Sequence, residues 1–217
     1  MSNSIKINNK IDNFNKTITV SGDKSLSIRW VLFSSMAKGE SKAFNLLLSE
    51  DVLAAIEAIK KLGINVKLKK NYFSIIGKGL GGYKYKKNII INAQNSGTLG
   101  RLILGILVDT PYKIKIIGDK SLSKRDFSRI AEPLSKFGVK IKLTKKSLPL
   151  TIKGTKNLRP INYVEKKGSA QCKSSIIFAG LKTEGTTKIK AKKSRNHTEL
   201  LSKYLGLPVK VKKLKNY

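Results

Sequence analysis

The chain has 217 residues, 40% of them hydrophobic, enough to bury a real core in one domain or two small ones. Its net charge of +32 comes from 45 basic and 13 acidic residues, but the excess is lysine, spread along the chain beside many Ile and Asn. That reads as compositional drift rather than a nucleic-acid face. No run approaches the ~18 apolar residues of a membrane span, residues 1–9 lack the apolar core of a signal peptide, and the lone cysteine, Cys172, excludes an internal disulfide and suits a reducing cytosol.

In chain order, residues 18–20 predict a strand and residues 24–37 a helix closed by Lys38-Gly39. Residues 49–62 predict a helix with Ser49 as N-cap, Glu50 and Asp51 in its first turn, and Val52, Ile56, Ile59 and Leu62 at helical spacing. Strands are expected at 65–68, 72–76 and 88–91, a helix at 98–108 with Thr98 available to cap it, and a strand at 113–117. A helix at 128–137 and strands at 139–143 and 150–152 follow. The last stretch predicts a helix at 171–181, a strand at 186–189, a helix at 198–205 and the start of a strand at 209–211. Three helix-glycine-strand phrases, around Gly63, Gly138 and Gly206, point to an internal repeat of α/β units. The third round stops at Tyr217, where its next strand is due, and reads as truncated.

One pattern occurs twice: Gly22-Asp23-Lys24-Ser25-Leu26-Ser27-Ile28-Arg29 and Gly118-Asp119-Lys120-Ser121-Leu122-Ser123-Lys124-Arg125. Each copy follows a β-patterned run and precedes a segment expected to be helical. A turn that delivers Lys, Ser and Arg at a helix start is suited to an anion, because free backbone N–H groups and the helix dipole both favour negative charge there. Two such turns suggest a ligand with more than one anionic group. Asn95-Ser96-Gly97-Thr98 and Gly168-Ser169-Ala170-Gln171-Cys172-Lys173-Ser174 are expected at further helix starts, where Gly97 lets a ligand approach the backbone. Gly77-Lys78-Gly79-Leu80-Gly81-Gly82 fits a dinucleotide fingerprint but leads into a strand, so it is read as a hairpin or loop. His197, the lone histidine, excludes a histidine metal cluster, and Cys172 reads as a small core residue.

In order along the chain, the first Gly-Asp-Lys-Ser-Leu turn, Asn95-Ser96-Gly97-Thr98, the second Gly-Asp-Lys-Ser-Leu turn, Leu148-Pro149-Leu150-Thr151-Ile152-Lys153-Gly154, Ser169-Ala170-Gln171-Cys172-Lys173-Ser174 and Ser194-Arg195-Asn196-His197-Thr198-Glu199 resemble the 5-enolpyruvylshikimate-3-phosphate (EPSP) synthase family. The Ser-Ala-Gln and Ser-Arg-x-His-Thr-Glu forms look like the branch whose bacterial members differ most from the enterobacterial type. The resemblance covers nearly the whole chain but only about the first half of the family's length.

The resemblance implies an α+β fold of repeated βαβαββ units, the three-fold α/β prism of the enolpyruvyl transferases, with the third unit truncated. Residues 1–20 become the N-terminal segment and interdomain crossover, residues 21–217 the first globular domain, incomplete at its C-terminus, and the second domain is absent. It implies transfer of the enolpyruvyl group of phosphoenolpyruvate to the 5-hydroxyl of shikimate 3-phosphate with loss of phosphate, in a cytoplasmic enzyme using no metal or organic cofactor. The expected partners are the two substrates and the missing C-terminal domain, with no membrane and no specific nucleic acid. Lys24 carries over as the catalytic lysine contacting both substrates. Ser25, Arg29, Ser169, Gln171 and Arg195 carry over as shikimate 3-phosphate ligands, and Gly97, Arg125 and Gln171 fall on the phosphoenolpyruvate side. Glyphosate, which takes the phosphoenolpyruvate position in this family, is expected to inhibit the intact parent enzyme. The family's acid–base carboxylates lie in the second domain, so the isolated chain is expected to be inactive.

Two rival readings stand beside this one. The UDP-N-acetylglucosamine enolpyruvyl transferases have a lysine-asparagine turn where Lys24-Ser25 stands here. A basic α/β nucleic-acid-binding protein is favoured by the charge, but aromatic content is 7% and no strand carries an aromatic pair suited to base stacking.

Overall fold

The computed structural model describes residues 4–212 apart from positions 11 and 14. The elements are α1 (Lys24–Met36), β1 (Lys38–Ala43), α2 (Glu50–Lys61), β2 (Asn65–Leu68), β3 (Phe73–Lys78), β4 (Ile90–Asn92), α3 (Gly97–Ile106) and β5 (Ile114–Ile117). A single 3-10 turn (Leu122–Lys124) precedes α4 (Ser128–Lys136), β6 (Lys140–Thr144), β7 (Ser147–Lys153), β8 (Asn162–Glu165), α5 (Ala170–Leu181), β9 (Lys188–Ala191) and α6 (His197–Tyr204).

These strands make three sheets. In β1-β3-β2 every pairing is antiparallel, with Ser41 and Val66 both opposite Ile75. In β4-β5-β7-β6 the first pair is parallel and the others antiparallel, while β8 and β9 form a parallel pair. Parallel neighbours cannot be joined by a tight turn. Here α3 makes the crossover from β4 to β5, and α5 the one from β8 to β9. The trio β1-β3-β2 runs in the same order and senses as β5-β7-β6.

Two kinds of helix follow from two kinds of sequence. α2 is amphipathic: Val52, Ala55, Ile56 and Ile59 face inward, while Glu50 and Asp51 at its start and Lys60 and Lys61 at its end complement the dipole. α1, α3 and α5 are buried over most of their length. Their Ile28, Leu32, Leu99, Leu102, Ile103, Ile176 and Phe178 are fully enclosed, each such side chain contributing about 1.5–3 kcal/mol. Phe33 of α1 meets Phe178 of α5 with ring centroids 4.5 Å apart. α3 and α5 approach backbone to backbone: Ser175 Oγ donates to Arg101 O at 3.0 Å, and a Cβ at Gly105 would lie 2.2 Å from Ser175 O. α2, α4 and α6 stop alike, at Gly63, Gly138 and Gly206 with φ of +82°, +97° and +66°, where a side chain would strain the turn.

The strand expected at 18–20 is not formed. Ile18 and Val20 are 73% and 67% exposed, and no strand among the described residues offers them a ladder. Residues 209–211 are likewise irregular, with the following residues 213–217 outside those described. β1 and β8 were not expected. β1 has the polar sequence KGESKA and exists because β3 supplies its partners from Phe73 to Lys78. The second Gly-Asp-Lys-Ser copy gives one 3-10 turn instead of a helix: the backbone turns extended at Arg125, and α4 begins only at Ser128, whose N–H donates to Asp126 Oδ1 at 2.7 Å. α3 is capped by Ser96, not Thr98, and Ser49 stands at the N-cap of α2 without a side-chain cap bond.

Candidate active site

The two repeated turns begin identically. Asp23 Oδ1 accepts from Leu26 N at 2.7 Å, and Asp119 Oδ1 accepts from Leu122 N at 2.7 Å. Beyond the cap they diverge. The first copy continues as α1 and carries Arg29 inward to 3% exposure, while the second ends after one turn and leaves Arg125 extended and exposed.

Arg29 lines a cleft of about 290 Å³ together with Ser25, Thr98, Gly168, Ser169, Ala170, Gln171, Ser194, Arg195 and His197. The first turns of α1, α3, α5 and α6 all contribute to it. Their N-terminal N–H groups and dipoles make the cleft electropositive beyond its side-chain charges. Ser169 Oγ caps α5 by accepting from Cys172 N at 3.2 Å, and the buried Glu165 carboxylate fixes the approach loop, accepting from Ser169 N at 2.8 Å and Lys167 N at 3.1 Å. Burial pushes the pKa of Arg29 down to about 10, Arg195 adding to the fall while Glu199 and Asp23 oppose it. The guanidinium is therefore charged at neutral pH.

A second group adjoins the first through Gln171. Arg101 Nη1 donates to Gln171 Oε1 at 2.8 Å and to Gly97 O at 3.3 Å, and Gln171 Nε2 donates to Thr98 Oγ1 at 3.0 Å. A Cβ on Gly97 would lie 2.8 Å from Arg101 Nη1 and 3.0 Å from Arg125 Nη1. Both guanidinium groups thus lean over this backbone. Arg101 stacks on Phe127 at 4.9 Å. Burial lowers its pKa, and the like charges of Arg129 and Arg125 lower it further.

Of the residues expected at the site, Ser25, Arg29, Ser169, Gln171 and Arg195 share the cleft. Gly97 and Arg125 lie together beside Arg101. Lys24 is not among the lining residues; its half-exposed ammonium pairs with Asp51 at 3.1 Å. Arg101, Glu165 and the α6 residue Thr198 were not singled out as functional. Arg101 stands one helical turn after Gly97, three residues beyond the Asn95-Ser96-Gly97-Thr98 motif, and that spacing is the signal that could have found it. A larger hollow of about 450 Å³ lies by the C-terminal end of α2. There Lys60 and Lys61 are tied to Glu57 and Ile90 O, and a helix C-terminus repels anions. Among the described residues no three His, Cys, Asp or Glu groups could hold a metal ion, and no helix is long and apolar enough to cross a membrane.

Four helix starts and the buried guanidinium of Arg29 on one cleft, with the exposed Arg195 at its lining and Arg101 beside it, give an α/β protein a site suited to a small anion bearing several charges. Residues 8–217 match the family EPSP synthase (3-phosphoshikimate 1-carboxyvinyltransferase), and the chain belongs to that family. It is 41% identical over 205 residues to the 3-phosphoshikimate 1-carboxyvinyltransferase of Streptococcus mutans, covering 93% of this chain and 48% of that protein. It is 42% identical over 197 residues to that of Lactococcus lactis, covering 89% and 46%. A solved EPSP synthase from Acinetobacter baumannii superposes with a TM-score of 0.85 at 37% identity, over 90% of this chain and 44% of that one. The chain therefore spans about half the length of the curated relatives it matches.

Proposed function

We propose that this chain is the first domain of a two-domain enzyme that transfers the enolpyruvyl group of phosphoenolpyruvate to the 5-hydroxyl of shikimate 3-phosphate. The carrying observation is that Arg29, buried to 3% exposure, meets Ser25, Ser169, Gln171 and Arg195 on one cleft at four helix starts. In this reading the units are successive βαβαββ repeats of a prism, the third cut short, with residues 1–20 serving the interdomain crossover.

The roles are those that the family resemblance implies, and the charge and geometry of the cleft suit them. Arg29 holds the shikimate carboxylate, for which a guanidinium fork is suited. Ser25, Ser169 and Arg195 hold the rest of shikimate 3-phosphate. Arg125 and the backbone at Gly97 receive phosphoenolpyruvate, and Gln171 touches both substrates. Lys24, released from Asp51, turns to the reacting groups. The 5-hydroxyl of shikimate 3-phosphate gives up its proton to a base as its oxygen adds to C2 of phosphoenolpyruvate, while C3 gains a proton, giving a tetrahedral intermediate. Loss of phosphate from C2 and of a proton from C3 regenerates the vinyl group. Holding both anions in register supplies about 7–11 kcal/mol of the barrier reduction, and the guanidinium groups neutralise charge that would otherwise keep the substrates apart. No cofactor takes part, and the acid–base carboxylates come from the second domain.

Phosphate release from the two substrates tests this reading. The intact two-domain protein is expected to turn over and the 217-residue chain alone is not. An intact protein without turnover would sink the function; turnover by the chain alone would sink the need for a second domain.

A further inference from the structure

Arg29 is gripped along one edge by two hydroxyls that no water reaches. Its Nε donates to Thr198 Oγ1 at 2.6 Å and its Nη2 to Ser174 Oγ at 3.2 Å, while Nη1 donates to Ser25 O at 2.9 Å. Thr198 is 0% and Ser174 1% exposed. Ser174 Oγ also donates to Ala170 O at 2.7 Å and lies 2.6 Å from Thr198 Oγ1.

The direction of every proton follows. A guanidinium only donates, and a serine has one hydroxyl hydrogen. Ser174 gives its hydrogen to Ala170 O, so Thr198 must donate to Ser174. Thr198 then accepts from Arg29 and donates to Ser174, and Ser174 accepts from both. Neither hydroxyl can turn away without leaving a buried polar atom unpaired. The Nε–Nη2 edge is thereby fixed, and two of the five guanidinium N–H groups keep no acceptor among the described residues. They belong to a side chain that lines the cleft.

We propose that Thr198 is a positioning residue. With Ser174 it holds the guanidinium of Arg29 at one angle, so that its remaining N–H pair meets a substrate carboxylate already aimed. The inference rests on the reading above that Arg29 takes the carboxylate of shikimate 3-phosphate. It also gives the three helices a shared key, since Arg29, Ser174 and Thr198 lie on α1, α5 and α6. A preorganised fork loses less freedom on binding than a free arginine.

The test uses the 15N-labelled 217-residue chain, with hydrogen exchange at Arg29 Nε and titration with shikimate 3-phosphate. In the unaltered chain the Nε–H is expected to be protected. Thr198→Val, close in shape but without the hydroxyl, is expected to lose that protection and raise Kd at least tenfold. Thr198→Ser is expected to restore both to within about twofold. In an Arg29→Lys background Thr198→Val is expected to change Kd less than twofold, which a merely structural tie would not produce. If Thr198→Val does not fold, Ser174→Ala takes its place with the same expectations. An unprotected Nε–H in the unaltered chain, or a Thr198→Val chain that binds as well as the original, overturns the proposal. An unaltered chain with a protected Nε–H that takes up no shikimate 3-phosphate overturns the positioning role, while turnover by the intact two-domain protein decides the functional reading separately.

Discussion

Arg101 Nη1 lies 2.8 Å from Gln171 Oε1, joining α3 to α5 at the point where the cleft passes into the arginine cluster. Arg101 is 6% exposed, so this carboxamide is its main replacement for water. Gln171→Ala removes the acceptor and leaves a buried charge short of a partner. Urea denaturation is expected to show a loss of about 1.5–3 kcal/mol, the scale of a hydrogen bond to a charged group. Gln171→Glu is expected to recover most of it. Unchanged stability in Gln171→Ala would mean that Gly97 O, Asp126 O and Phe127 suffice to hold Arg101.

Gly97 lies under the cationic pair. The methyl of Gly97→Ala would come within 2.8 Å of Arg101 Nη1 and 3.0 Å of Arg125 Nη1. Arg125 is exposed and can give way, but the buried Arg101 must shift as well, so a loss in ligand geometry is expected together with some loss of stability. One charge-assisted hydrogen bond is worth about 1.5–3 kcal/mol, or roughly 10–150-fold in affinity. In the intact enzyme, KM for phosphoenolpyruvate and the inhibition constant for glyphosate are both expected to rise within that range, with KM for shikimate 3-phosphate unchanged. A rise confined to shikimate 3-phosphate would assign Gly97 to the wrong substrate.

Lys24 and Asp51 form an exposed ion pair, with side chains 52% and 25% accessible. Such pairs contribute about 0–1 kcal/mol, so Lys24→Ala is expected to leave the urea midpoint almost unmoved. The functional effect is expected to be far larger: loss of substrate binding, with affinity for an RNA oligomer almost unchanged. Equal loss of both would return the chain to the nucleic-acid reading, whose signature is a steep salt slope.

What could be read before the structure was local. α2 was legible because its caps, charges and apolar spacing agree, and the twin Gly-Asp-Lys-Ser turns were legible because Asp23 and Asp119 need only their own neighbours to cap. What could not be read depends on distant partners. β1 is a strand only because β3 lies beside it, and residues 18–20 have the pattern of one but no ladder. The site divides in the same way. Arg29 was legible as a cation at a helix start, but the hydroxyl that grips it comes from Thr198, 169 residues away, where the sequence shows a helix beginning within a motif and nothing that links it to Arg29.

Cys172 follows Gln171 on α5 yet points into the core, at 1% exposure, with Sγ donating to Arg129 O at 3.3 Å. Burial pushes its thiol up from the ordinary 9.0 to about 12, the nearby Glu165 and Glu132 adding to the rise and Arg129 opposing it. At pH 8 the native thiolate is rarer than that of an exposed cysteine by roughly a thousandfold, so alkylation by iodoacetamide is expected to be slow until the chain is unfolded. The same shift sets a pH dependence. Between about 9 and 12 the unfolded chain has released a proton that the native chain still holds, so native binds more protons and stability falls as pH rises. Below pH 9 that contribution is fully present. Urea midpoints of the unaltered chain and Cys172→Ala are therefore expected to keep a constant difference up to about pH 9, after which the unaltered chain loses ground. Rapid alkylation of the folded chain at pH 8 would place Cys172 at the cleft surface and remove it from the core that supports Gln171.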